Sequence, residues 1–138
     1  IGISSKKNTF KRKNFFHYKI DLSNSINSYN EFLKIITENE KIDGVISNAG
    51  NGVFQSLENF SPKQINQFIN LNLTSHIILT RALLPHFKKN KSGNIIFIGS
   101  ESGLRGKRFG SLYSSCKFGL RGFSQSIRED LFTITKLI

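Results

Sequence analysis

Residues 94–100 read Asn94-Ile95-Ile96-Phe97-Ile98-Gly99-Ser100, and this stretch decides the class of fold. Four successive apolar residues, three of them β-branched, favour an extended strand. Apolar and polar positions do not alternate, so the pattern predicts a strand over 94–98 that is buried on both faces. Burial on both faces belongs to parallel sheets covered by helices on each side. Ser92-Gly93 punctuates the chain before this strand, and a Gly- and Ser-rich loop follows it from 99 to 110.

Working outward, the same alternation of strand and helix continues. Upstream, Ser61-Pro62 reads as an N-cap with proline at the first helical position. The long helix it starts is predicted to run to about residue 89. Ile65, Phe68, Ile69, Asn72 and Leu73 form one buried stripe of it, and Pro85 is expected to bend its last turn. Residues 44–47 form a short strand closed by the turn Asn48-Ala49-Gly50-Asn51-Gly52. Ile26, Tyr29, Leu33 and Ile36 recur at helical spacing within 25–37. Residues 15–20 read as a strand ended by Asp21, residues 6–14 as a polar basic loop, and residues 1–4 as a strand end. Downstream, a last helix spans about 111–131 with Cys116, Leu120, Phe123, Ile127 and Leu131 on one face. Short strands of parallel type between long helices predict an α/β sheet with helices on both faces. Ligands of such sheets bind beyond the C-terminal strand ends. The informative residues are therefore Ser4–Lys6, Asp21-Leu22, Asn48-Ala49-Gly50 and Gly99-Ser100.

Length and composition bound the rest. The 138 residues suffice for one domain, and 38% hydrophobic content with 13 Phe and 3 Tyr supports a real core. A single cysteine, Cys116, excludes an internal disulfide framework and a multi-cysteine zinc site. No apolar run reaches the roughly 18 residues that span a bilayer, and no signal peptide is visible. A reducing, cytoplasmic setting and no membrane partner are expected. The net charge of +11 allows a nucleic-acid partner. The basic stretches at 6–13, 88–91 and 105–108 are short and separated, however, and no nucleic-acid motif accompanies them. A solvated basic surface, with no nucleic acid bound, is the expectation.

Chemistry enters at Tyr113 and Lys117. Four residues apart on a helix, they share a face. A nearby ammonium favours a phenolate, which makes such a pair a candidate proton donor and acceptor. Ser100 follows the buried strand at its ligand end, where its hydroxyl suits a substrate carbonyl. Asn72 puts an amide into an apolar stripe, where it needs partners or costs roughly 1–3 kcal/mol.

Together these residues resemble the active-site tetrad of the short-chain dehydrogenase/reductase family. Ser47-Asn48-Ala49-Gly50 is similar to the family's Asn-Asn-Ala-Gly motif, with Ser in place of the first Asn. Asn72 lies 24 residues beyond Asn48, and Tyr113 lies 13 beyond Ser100, as in the family. Tyr113-Ser114-Ser115-Cys116-Lys117 matches its Tyr-x-x-x-Lys, and Asp21-Leu22 resembles its adenine-contacting motif. The resemblance implies an NAD(P)-dependent oxidoreductase that interconverts a carbonyl and an alcohol by hydride transfer. It implies Tyr113 as general acid or base and Lys117 as its activator and a ribose contact. Ser100 would orient the substrate carbonyl, and Asn72 would hold a relay water. Asn48, Ala49 and Gly50 would line the cofactor pocket. The second strand of an NAD enzyme usually ends in an acid. Here Ser4, Ser5, Lys6 and Lys7 follow it, and hydroxyls with a cation suit a 2′-phosphate, so NADP(H) is expected over NAD(H).

The implied fold is a partial doubly wound Rossmann-type parallel sheet, lacking the first strand and the last strands. No Thr-Gly-x-x-x-Gly-x-Gly run occurs in the chain, and the family's segments after the Tyr–Lys helix have no counterpart in it. The family's first strand separates its second and fourth, so the sheet is expected to be interrupted at its centre, with unpaired inner edges. The chain also contains no Met. These features lead to the expectation of an internal fragment, the central part of one domain over 1–138, inactive alone. The alternatives are a non-catalytic relic of an interrupted gene and a small basic nucleic-acid-binding domain. Phe118, Phe123 and Ile127 are candidates for a dimer or tetramer face, with core packing the simpler role. Phe54, Gln55, Glu101, Ser102 and residues 105–112 are expected to line a small-molecule substrate pocket.

Overall fold

A computed structural model describes residues 1–6 and 12–132 of the chain. Part of the basic loop expected over 6–14 lies outside the described residues. Four short strands form two parallel pairs. β1 (Gly2–Ser4) pairs with β2 (His17–Lys19), and β3 (Gly44–Ser47) pairs with β4 (Asn94–Phe97). The two pairs are separate two-stranded sheets rather than one. That is the central interruption expected from the absent first strand.

Helix α1 (Ser25–Glu38) connects the two pairs. The Asn24 side chain caps it by accepting from the Asn27 amide at 3.2 Å, satisfying one of the orphan donors of the first turn. Its buried face is Ser28, Phe32 and Ile35. Of the four residues at helical spacing, Tyr29 and Ile36 pack against the core as the pattern implies, whereas Ile26 is 79% exposed. The cause is local. The Ser28 hydroxyl donates to the carbonyls of Asn24 and Asp21, at 2.7 and 3.1 Å, so a polar residue is buried at the helix start. Phe32 and Ile35 then join Ile20, Leu22 and Ala82 in one apolar cluster.

The long helix begins where Ser61-Pro62 predicts. Ser61 and Gln64 form a reciprocal capping box at the start of α2 (Pro62–Ile69). It does not run on as one regular helix, as expected from its apolar stripe. A π-helical segment (Asn70–Thr74) separates α2 from α3 (Ser75–Asn90). The Phe68 carbonyl, which a regular α ladder offers to the residue four on, accepts the Asn72 side-chain amide at 3.0 Å. A side chain inserted into the ladder accompanies the widened turn. Pro85 lies inside α3, which continues through it to Asn90.

Strand β4 forms where expected but is not buried on both faces. Ile96 is 52% exposed, as is its neighbour on β3, Ile46, at 67%. The physical reason is the two-stranded sheet: the described elements leave these outward side chains uncovered. Helix α4 (Ser111–Phe132) packs against the π segment, α2 and the 3-10 turn Glu101–Gly103. Cys116 and Leu120 are buried on it, whereas Phe118 is exposed rather than part of the core. Phe123 lies edge-on to Phe97 at 5.7 Å.

Candidate active site

The site is assembled where β3, β4, the π segment and the first turns of α4 meet. Ser100 leaves β4 after Gly99 and caps the turn Glu101–Gly103, its Oγ accepting from the Ser102 amide at 3.2 Å. With that bond accepted, the hydroxyl proton remains available to a ligand. The turn sits directly on α4: a Cβ at Gly103 would lie 2.9 Å from the Lys117 carbonyl oxygen, so only glycine permits this approach.

Tyr113 and Lys117 stand one turn apart on α4, with the Lys117 Nζ 5.8 Å from the centre of the Tyr113 ring. Phe54 and Phe68 both meet that ring edge-on, at 5.7 and 6.3 Å, which fixes its plane. Lys117 is only 6% exposed, and its amine donates to the Ile98 carbonyl at 2.9 Å. Burial pushes its pKa below the ordinary lysine value, and the neighbouring Cys116 works weakly against that. Cys116 itself is buried, and its thiol is pushed up to about 11, so it is an inert packing group.

Asn72 is fully buried and fully employed. Its Oδ1 accepts from the Asn51 amide at 3.0 Å, and its Nδ2 donates to Phe68 and to the Asn51 side chain. The amide that the apolar stripe could not satisfy thus ties the π segment to the turn after β3. Gly50 closes that junction. Its φ is +154°, and a Cβ there would fall 2.7 Å from Asn72 Oδ1. Asn72 makes its side-chain bonds to this turn and to the Phe68 carbonyl.

One further pair is present that the motif reading passed over. Ser47 Oγ and His76 Nδ1 share a hydrogen bond of 2.6 Å in the buried interior. His76 Nε2 has no hydrogen-bond partner. Burial lowers the His76 pKa, the Lys117 ammonium lowers it further, and the Ala49 backbone opposes both. The sequence signal was the serine standing for the motif's first asparagine, together with a histidine four residues beyond Asn72.

A cleft of about 630 Å³ opens over these groups, lined by Gly52, Phe54, Ser100, Glu101, Ser102, Lys107, Arg108 and Tyr113. Ser100 and Tyr113 therefore share one cleft. Lys117 lines a smaller one, of about 240 Å³, to which Ser100 also contributes. Of the expected cofactor contacts, Asn48 and Gly50 are exposed at the C-terminal end of β3, and Ala49 is half-buried between them. Ser5 and Lys6 are exposed beyond β1. The Ser4 hydroxyl is already bonded to the Lys6 carbonyl and to the His17 ring. Asp21 is exposed, with one carboxylate oxygen accepting from the Ser23 amide and hydroxyl, whereas the Leu22 side chain is in the core. Among the described residues no cluster of His, Cys, Asp or Glu could hold a metal ion, and no helix is long and apolar enough to cross a membrane.

Residues 3–134 match the profile of the short chain dehydrogenase family. A 3-ketodihydrosphingosine reductase of Bacteroides thetaiotaomicron is 32% identical over 108 residues, which cover 78% of this chain and 40% of that protein. A 3-oxoacyl-[acyl-carrier-protein] reductase of Buchnera aphidicola is 32% identical over 120 residues, 87% of this chain and 49% of that one. The chain thus spans less than half the length of either relative. A crystal structure of a metagenomic short-chain oxidoreductase in complex with NADP superposes with a TM-score of 0.80 at 29% identity, covering 86% of this chain and 54% of that one.

Proposed function

The chain belongs to the short-chain dehydrogenase family, and from that premise we propose that it interconverts a carbonyl and an alcohol, with Tyr113 as the general acid of reduction and the base of oxidation. The observation that carries this reading is the joint lining of one cleft by Ser100 and Tyr113, with the Lys117 amine beside the Tyr113 ring.

A nicotinamide dinucleotide is the implied partner, and the residues present fit its nicotinamide–ribose end. Asn48 and Gly50 are open at the end of β3, and Gly50 has no side chain to intrude. No glycine run in the chain matches the family's pyrophosphate loop. When bound, reduced nicotinamide supplies the hydride. Ser100 donates its hydroxyl proton in a hydrogen bond to the substrate carbonyl oxygen and stabilises the charge that develops there. The Tyr113 Oη–H bond breaks as its proton passes to that oxygen, so C=O becomes CH–OH. The Lys117 ammonium stabilises the phenolate left behind. Asn72 holds the turn that carries Asn51, next to Asn48–Gly50; its part in a relay through water is an expectation of family resemblance.

NADP(H) is the proposed preference, supported by the exposed Ser5 and Lys6 beyond β1 and by the NADP in the similar crystal structure. With no glycine run and two unjoined sheets, the 138 residues alone are proposed to hold a dinucleotide weakly and to be inactive, as the central part of one dinucleotide-binding domain. The proposed setting is the reducing cytoplasm, which suits a lone buried thiol. A homodimer or homotetramer is proposed by family resemblance.

The test is reduced-nicotinamide consumption with a panel of ketones, using the protein translated from the whole reading frame that contains these residues. Tyr113→Phe removes the proton donor, and the rate is expected to fall about 10²–10⁴-fold. Equal rates in the two proteins would refute the role of Tyr113.

A further inference from the structure

We propose that the substrate carries an oxyanion, a carboxylate or a phosphate, held by Lys107 and Arg108 on the wall of the cleft, while its apolar part lies against Phe54. This rests on reading the cleft as the substrate site, and it names the class of substrate that site takes.

Of the three charged residues that line the cleft, two are cations. The anion, Glu101, is already committed: its carboxylate pairs with Arg105 and with Lys107, the latter at 2.9 Å. These two cations also hold the Glu101 carboxyl below the ordinary range, Lys107 contributing first, so it stays ionised and occupied. Arg108 has no carboxylate partner among the described residues; its guanidinium lies over the Phe109 ring at 4.8 Å. A guanidinium that is open to the cleft and unpaired is suited to bidentate contact with an oxyanion.

The backbone commits to this arrangement. Residues 107–110 form a tight turn closed by the Gly110 amide on the Lys107 carbonyl at 3.0 Å. Phe109 occupies it with a φ of 56°, in the left-handed region that ordinary residues avoid. Strain of this kind persists where surroundings over-determine it, and it recurs at ligand clamps. Lys107 and Arg108, in the same turn, both line the cleft. The opposite contribution is apolar: Phe54 is exposed and leans edge-on against Tyr113. A molecule with its carbonyl at Ser100 and Tyr113 therefore meets an aromatic surface, the unpaired Arg108 guanidinium and the Lys107 ammonium that also pairs with Glu101. The cofactor-side residues Asn48, Ala49 and Gly50 are not among the residues lining this cleft.

The experiment measures equilibrium binding of three aryl ketones to the protein translated from the whole reading frame, read by amide shifts around Tyr113 and Arg108. The probes are 4-benzoylbutyrate, the matching phosphonate and the neutral methyl ester. Both anions are expected to bind at least about tenfold more tightly than the ester, as charge-assisted bonds require. The stronger of the two identifies carboxylate or phosphate as the preferred group. The double variant Lys107→Gln, Arg108→Gln should bring the anions to within about twofold of the ester, and raised salt should shrink the wild-type preference. An ester bound as tightly as the anions, a preference that survives the double variant, or no perturbation of the cleft by any probe would overturn the proposal. Turnover is measured separately with Tyr113→Phe as control. Tyr113-dependent reduction without anion preference sinks this inference alone, and anion preference without Tyr113-dependent turnover sinks the oxidoreductase role alone.

Discussion

His76 shows how a buried titratable group outside the catalytic motif shapes the behaviour of the site. Ser47 binds one ring nitrogen, the other is buried without a hydrogen-bond partner, and burial with the Lys117 charge outweighs the opposing Ala49 backbone, so charging the ring is disfavoured. Its pKa is lower folded than unfolded, where it is about 6.5. Between those two values the unfolded state binds more protons. Stability conferred by neutral His76 is therefore complete above about pH 6.5 and is lost as pH falls through the lowered folded value. The His76→Gln variant should show a flatter dependence of Tm on pH between about 5 and 7 than the wild type. Superimposable profiles would place the pH sensitivity elsewhere. That Ser100 and Tyr113 share one cleft was legible in the sequence, because Ser100 follows a strand end and Tyr113 opens the next helix. The Ser47–His76 pair was not. Its members are 29 residues apart, and only packing of α3 against β3 joins them.

At the scale of elements, the start of α2 could be read from four residues, since a capping box is local chemistry. The π segment could not. One widened turn leaves the apolar stripe of Ile65, Phe68, Ile69 and Leu73 on the same side of the helix. The α1 stripe was legible only in part: Tyr29 and Ile36 pack on the core, but the buried Ser28 carries no hydrophobic signal and Ile26 is exposed. Asn72 joins two elements, and its removal should be felt in both. The Asn72→Ala variant strips Asn51 and Phe68 of their side-chain partners and should cost about 1–3 kcal/mol. Hydrogen exchange at the Asn51 amide should speed up more than exchange in α1. Unchanged protection at Asn51 would show that the turn holds itself.

For the whole molecule, motif order foretold an interrupted sheet, and the chain forms two unjoined parallel pairs. The exposure of Ile46 and Ile96 was hidden, because an apolar run reports what a strand would bury and not what covers it. Uncovered apolar side chains beside open strand edges favour self-association. The 138-residue chain should therefore associate at rising concentration, and the double variant Ile46→Lys, Ile96→Lys should lower its mass in light scattering while keeping its helical signal. Equal masses would mean that the exposed face is not the adhesive one. The family match and the cleft shared by Ser100 and Tyr113 support the proposed carbonyl chemistry at Tyr113. The most direct measurement is the rate of NADPH-linked ketone reduction by the protein translated from the whole reading frame, beside its Tyr113→Phe variant, with unfolding curves matched. The account predicts a fall of about 10²–10⁴-fold at unchanged stability. A variant as fast as the parent would contradict it.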